Sequence, residues 1–292
     1  MTTTIQALNL PNREALAFFL GKTNVSTQHW TDVWQEGHSR GFMVAGAAGD
    51  DLLNDFRGAI RQAIEDGTTL ADFRKQFDQI VSTHGWAHNG GAAWRSRVIY
   101  ETNLSTAYSA GRYAQMTEPD TLAVYPFWQY VHSGALHPRL NHQAWNGLVL
   151  RADDPFWKTH NPPNGWGCGC YTRPVSGRGL QRMGKAGPDQ APEVTFRDWR
   201  NPNTGQVMQV PVGIDPGFGY NPGEAWRGTM AFPADAVSKV PPAPPPPVMP
   251  PPRPAQAPAL DAGPVVVERA QPFGSIPLPP APAPAPTGAP PA

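Results

Sequence analysis

An α+β fold, with a layer of helices followed by a small antiparallel sheet, is what the order of patterns along these 292 residues predicts. Three observations carry that reading. Through residue 116 the apolar side chains recur at helical spacing. From residue 119 onward, short aromatic and β-branched runs alternate with Gly- and Pro-rich loops. Beyond residue 240 the large apolar groups stop: the last 52 residues hold 21 of the 36 prolines, no Trp or Tyr, and one Phe, Phe273. Such a segment cannot bury enough surface to offset the entropy of ordering it. The chain therefore reads as a helical region over 1–90, a mixed unit over 91–228, and a Pro-rich linker and disordered tail over 229–292.

Residues 13–22 form a short helix, apolar on one side through Leu16, Phe19 and Leu20. Thr27 can cap a second helix carrying Trp30, Val33 and Trp34, with Phe42 on its extension and Gly41 near its end. A third, over 50–66, places Leu52, Leu53, Phe56, Ile60, Ala63 and Ile64 at helical spacing and stops at Gly67. Thr69 and Asp72 make a capping box for a fourth, whose stripe is Leu70, Phe73, Phe77, Ile80 and Val81. The longest helix runs over 91–116; Arg97 and Glu101 pair four residues apart. With Asn103 they predict either a solvated turn or a hydrogen-bond network tying this helix to the following sheet. Strands are expected over 124–132, 147–154 and 170–175, and residues 177–228 read as loop, pinned to the body by Phe218 and Tyr220.

Composition narrows the function. With 23 basic and 23 acidic side chains the formal charge is zero, which gives no support for strong nucleic-acid binding. Arg173, Arg178, Arg182 and Lys185 form a local basic run that can at most touch DNA phosphates weakly, and a solvated loop explains it as well. The N-terminus does not read as a signal peptide and no apolar run is long enough to span a membrane, so an intracellular protein without a membrane partner is expected.

The only two cysteines stand one residue apart in "NGWGCGC", as Cys168 and Cys170. Four of the eight histidines lie between residues 132 and 170: His132, His137, His142 and His160. Two sulfurs and two imidazoles can complete a tetrahedral structural zinc site, with His142 the first nitrogen candidate, His137 the second and His160 the third. Gly167 and Gly169 would let the backbone aim both sulfurs at one point. Three other readings stay open: reduced thiols packed under Trp166, a strained disulfide, and a catalytic cysteine with a histidine base.

These residues bear a resemblance. Arg97 with Glu101, Thr102 and Asn103, the aromatic strand Phe127 to Tyr130, His142 before Asn146 and Gly147, Pro162–Pro163, and Cys168 with Cys170 resemble the Mu F-like family of tailed-phage head-morphogenesis (minor head) proteins. So do "ALAFFLGK", "GTTLADF", "HGW" and "GIDPGFGYNPG", extending the likeness over residues 11–228, with 91–228 as the head-morphogenesis domain. Two positions depart from the pattern: Gly169 stands where arginine is common, and Gly134 where an acid is expected. The resemblance implies a non-enzymatic virion component, made in the bacterial host cytoplasm and entering the procapsid. Its implied partners are the portal protein and other head proteins, and its implied role extends to genome packaging or ejection. The competing class is an enzyme: a metal-dependent hydrolase or nuclease using Asp153 or Asp154 as base, or a toxin carried on the same module.

Overall fold

The computed structural model describes residues 12–227; the Pro-rich tail expected over 229–292 lies outside the described residues. The fold is α+β, as the order of patterns requires. Helix α1 (Arg13–Leu20) starts where the Asn12 side chain accepts the Ala15 N–H. Strand β1 (Thr23–Asn24) then pairs in parallel with β2 (Gly41–Phe42).

The helix expected from Thr27 does not form. In its place stand two 3₁₀ turns, Trp30–Asp32 and Gln35–Ser39. Asp32 Oδ2 accepts the backbone N–H groups of Gln28 and His29, which bends the chain before a helix can propagate. Val25 and Val33 then bury against Met43 in a small cluster of their own.

Helices α2 (Asp50–Asp66), α3 (Leu70–His84) and α4 (Ala92–Met116) follow. Gly67 closes α2 at φ 71°, a left-handed turn that a side chain would resist. Thr69 caps α3 by accepting the Asp72 N–H at 3.2 Å. Phe18, Phe19, Phe42, Phe56, Phe73 and Phe77 meet in the core of this layer, each at most 1% exposed. Burying a side chain of that kind contributes about 1.5–3 kcal/mol. The same core takes residues from both sides of position 90, from Ala15 to Ala110.

Helix α5 (Pro119–Val124), which was not expected, ends at the residue where the first strand was expected to start. Pro119 sits in its first turn, where the missing N–H costs nothing. Strand β3 (Phe127–Val131) lies at the centre of a three-stranded antiparallel sheet in the order β4 (Val149–Arg151), β3, β5 (Tyr171–Val175). Between them come the short helices α6 (Leu140–Ala144) and α7 (Trp157–His160). Alternation along β3 sends Trp128 and Tyr130 into an aromatic core with Met116, Trp145, Phe156 and Trp157. On the opposite face Val149 and Val175 pack with Leu180 of α8 (Gly177–Arg182).

The segment expected to be loop holds α8, the hairpin β6 (Phe196–Arg200)–β7 (Val207–Pro211), and α9 (Pro222–Arg227). Four of the five β6 residues are exposed, so no alternation announced a strand. Phe218 and Tyr220 are buried, and Phe218 meets Trp166 edge-on at 5.0 Å.

Candidate metal centre

The turn that presents the sulfurs is built before either cysteine is reached. Asp215 accepts the Trp166 N–H at 2.9 Å and Arg139 Nη2 at 2.8 Å, while Arg139 also donates to the Trp166 carbonyl at 2.9 Å. Gly165 sits against this clamp, where an added Cβ would fall 2.3 Å from Asp215 Oδ2. Arg139 precedes α6, so the clamp fixes the start of that helix against the cysteine loop. The Cys168 N–H then closes a turn onto the Gly165 carbonyl at 3.1 Å, through Gly167 at φ 65°. Only one of the two flanking glycines, Gly167, uses the left-handed region.

Helix α6 carries His142, which is 2% exposed and stacks on Trp145. Its Nε2 lies 2.9 Å from the Gly213 carbonyl, which can only accept. The ring proton therefore sits on Nε2, and the Nδ1 lone pair faces Cys168 Sγ at 3.6 Å and Cys170 Sγ at 3.9 Å. All three ligand atoms lie within 4.8 Å of one another and all three residues are buried. A zinc ion at ordinary bond lengths and tetrahedral angles sets its nitrogen and sulfur ligands about 3.6 Å apart. The donor set and its spacing fit that ion. A histidine whose second nitrogen is held by a carbonyl is also the usual support for a metal ligand.

Electrostatics point the same way. The hydrogen bond from the Cys168 thiol draws Cys170 down in spite of its burial, helped by Tyr130 and the Ser133 N–H. The same bond, with burial and the Cys170 charge, drives Cys168 well up. The pair shares one proton, which a bound cation would displace.

The other expected ligands stand apart. His137 is exposed on the loop before α6 and lies outside the group. That helix begins only at Leu140, so the five-residue spacing from His142 turns His137 to solvent. His160 is buried but its Nδ1 pairs with Thr159 Oγ1 at 2.8 Å and its ring stacks on Phe156; burial pushes its pKa down to about 4. His132 Nδ1 accepts the Gly134 N–H. All eight histidines and both cysteines lie among the described residues, so the group offers three such ligands.

The polar residues of α4 divide differently from the expectation. Arg97 pairs with Glu101 at 2.7 Å within the helix, Asn103 Nδ2 donates to the Ile99 carbonyl, and burial raises the Glu101 pKa. The link from α4 to the sheet lies further along, at Ser109. Its hydroxyl donates to the Pro162 carbonyl and accepts Asn161 Nδ2, whose Oδ1 accepts from Thr172 of β5. Asn161 Nδ2 also reaches Asn221 Oδ1 at the start of α9. Sequence reasoning missed this network because single Ser, Thr and Asn residues in separate elements carry no spacing signal. Of the basic run, Arg173 donates to Gln129 and Lys185 pairs with Asp189 at 2.5 Å; Arg178 and Arg182 are exposed.

Residues 54–173 match the model of the family described as Phage Mu protein F like protein. The chain is 33% identical over 253 residues to "Putative capsid assembly protein F" of Escherichia phage Mu, covering 76% of this chain and 56% of that protein. It is 32% identical over 228 residues to the "Mu-like prophage FluMu F protein" of Haemophilus influenzae, covering 70% of this chain and 54% of that one. The chain belongs to the Phage Mu protein F-like family. It spans about half the length of the curated relatives it matches. No solved structure gives a significant match to it. The family match takes in all three ligands of the centre, opening inside α2 and closing inside β5. At Gly134, where the Mu F-like pattern led to an acid, this chain has φ 71°, a backbone position that glycine adopts freely.

Proposed function

We propose that this Mu F-like chain is a capsid-assembly component of a tailed-phage or prophage head, in which a structural zinc ion fastens α6 and the cysteine turn to the sheet. The relationship to the phage Mu protein carries the assembly half of this reading. The convergence of Cys168, Cys170 and His142 supports the zinc half. Cys170 leads directly into β5 and His142 lies in the link between β3 and β4, so one ion would cross-brace both edges of the sheet. A bound zinc contributes folding free energy, about 10–16 kcal/mol of apparent binding in small zinc modules. The chain's own part is to hold the imidazole tautomer through Gly213 and the loop through the Arg139–Asp215 clamp.

The finer reading places the protein at the portal vertex, with a part in genome packaging or ejection. Co-purification of the full chain with the portal of its own phage tests it. Stable co-migration on sizing and presence in proheads are the expected results; absence from purified proheads and virions contradicts it.

One observation favours an enzyme instead: three protein ligands leave a fourth position open, as catalytic zinc sites do. The acids expected as bases are otherwise engaged. Asp153 pairs with Arg151 on the surface, and Asp154 accepts the Phe156 N–H. Metal-dependent cleavage of a phosphodiester or ester probe that is lost in Cys170→Ser would favour the enzyme over the structural reading.

A further inference from the structure

Four segments far apart in the chain meet around a second feature, separate from the cysteines. Lys22, at the end of "ALAFFLGK", Asn103 of α4, Trp166 and Phe218 line a cavity of about 100 Å³. Trp30 and Arg95 line it too, and both also line an adjoining groove of about 540 Å³ that Trp94 borders.

The charge inside is one-sided. Lys22 is 5% exposed; its ammonium donates to the His38 carbonyl at 2.7 Å and lies 4.7 Å over the Phe18 ring. Arg95 Nη2 donates to the Ala45 carbonyl, and its buried Nε has no hydrogen-bond partner among the described residues. No Asp or Glu lines the cavity or the groove. Buried cations are ordinarily paired with an anion, because desolvating a lone charge is costly. Burial, and then repulsion from Arg57, lowers the Lys22 pKa. The remaining walls are apolar and aromatic, so what completes the site must combine a negative group with an apolar stem. Size limits that stem: a cavity of about 150 Å³ holds a benzene ring, and this one is smaller. The rest of a longer ligand would extend into the groove, which shares Trp30, Ala45 and Arg95 with the cavity.

We propose that this cavity binds a carboxylate on a short branched or straight apolar stem, entering from the groove beside Trp30 and Trp94. Two sources share that chemistry: the C-terminal residue of a peptide, whose preceding residues would lie in the groove, and a free short-chain acid.

Calorimetric titration of the full chain separates them, with acetyl-Gly-Gly-Val, its C-terminal amide and isovalerate as probes. The acid peptide should bind, and both the amide and the Lys22→Met chain should lose at least about tenfold in affinity, or about 1.4 kcal/mol. Peptide binding about tenfold tighter than isovalerate identifies a peptide terminus; equal affinity identifies a free acid. The proposal is overturned if neither acid binds at about 10 mM, or if amide and acid bind alike to the unaltered chain. Undiminished binding by a folded Lys22→Met chain overturns it as well. The amide comparison needs no variant and stands even if Lys22→Met fails to fold.

Discussion

Single residues set the energetics of the interior, and Lys22 shows how. Burial, then Arg57, takes it from the ordinary value of 10.5 to about 7 in the folded chain. Between those two values the unfolded chain carries a proton that the folded chain lacks, so stability contributed by this residue rises with pH from about 7 to 10.5. Replacing Lys22 by Met removes that dependence. The variant should be stabilised relative to the parent most at pH 6, with the difference in Tm shrinking toward pH 9–10; a difference that is flat across this range contradicts the assignment. At Gly165 the argument is steric. A Gly165→Ala side chain would collide with Asp215 and break the clamp on Arg139 and Trp166, costing about 2–4 kcal/mol in denaturant unfolding. Asn161→Ala should cost about 1–3 kcal/mol, because Ser109, Thr172 and Asn221 lose a buried partner together. None of these three roles was legible beforehand. Each depends on elements brought together only by the fold.

At the scale of elements, local rules decided more. The stripes of α2 and α3, the Gly67 stop of α2 and the Thr69 cap of α3 were legible in the sequence, and α2 and α4 fall within a residue of where the patterns placed them. Removing the α3 cap by Thr69→Ala should lower stability by about 1 kcal/mol, read as a lower denaturation midpoint at unchanged slope. The sheet was legible in its strands but not in their limits: β3 starts only at residue 127, because α5 runs through Val124, and β4 keeps three of the eight residues expected. Around Trp30 and Trp34 the helical spacing misled. Those rings stack on each other at 6.0 Å, and Trp34 stacks on Trp199 of β6 at 5.3 Å, so tertiary contacts override the local pattern. This array ties the exposed β6–β7 hairpin to the body. Trp199→Ala should therefore speed amide hydrogen exchange in the hairpin while α2 and α3 stay protected; equal protection in both proteins would contradict that tie.

For the whole molecule, family membership and the three-residue cluster are the two facts on which function turns. The sequence carried both in part: two cysteines one residue apart marked the sulfur pair, and His142 was the first nitrogen candidate. A fourth ligand was not legible, since proximity along the chain says little about where a loop histidine such as His137 will point. Metal analysis with X-ray absorption at the zinc edge of the purified full chain tests the clasp most directly. About one zinc per chain, bonded to two sulfurs at about 2.3 Å and one imidazole nitrogen at about 2.0–2.1 Å, is the expected result, lost in the Cys168→Ser, Cys170→Ser protein with a fall in Tm. A chain that binds no metal, or a paired-serine variant with unchanged metal content and melting temperature, would contradict it.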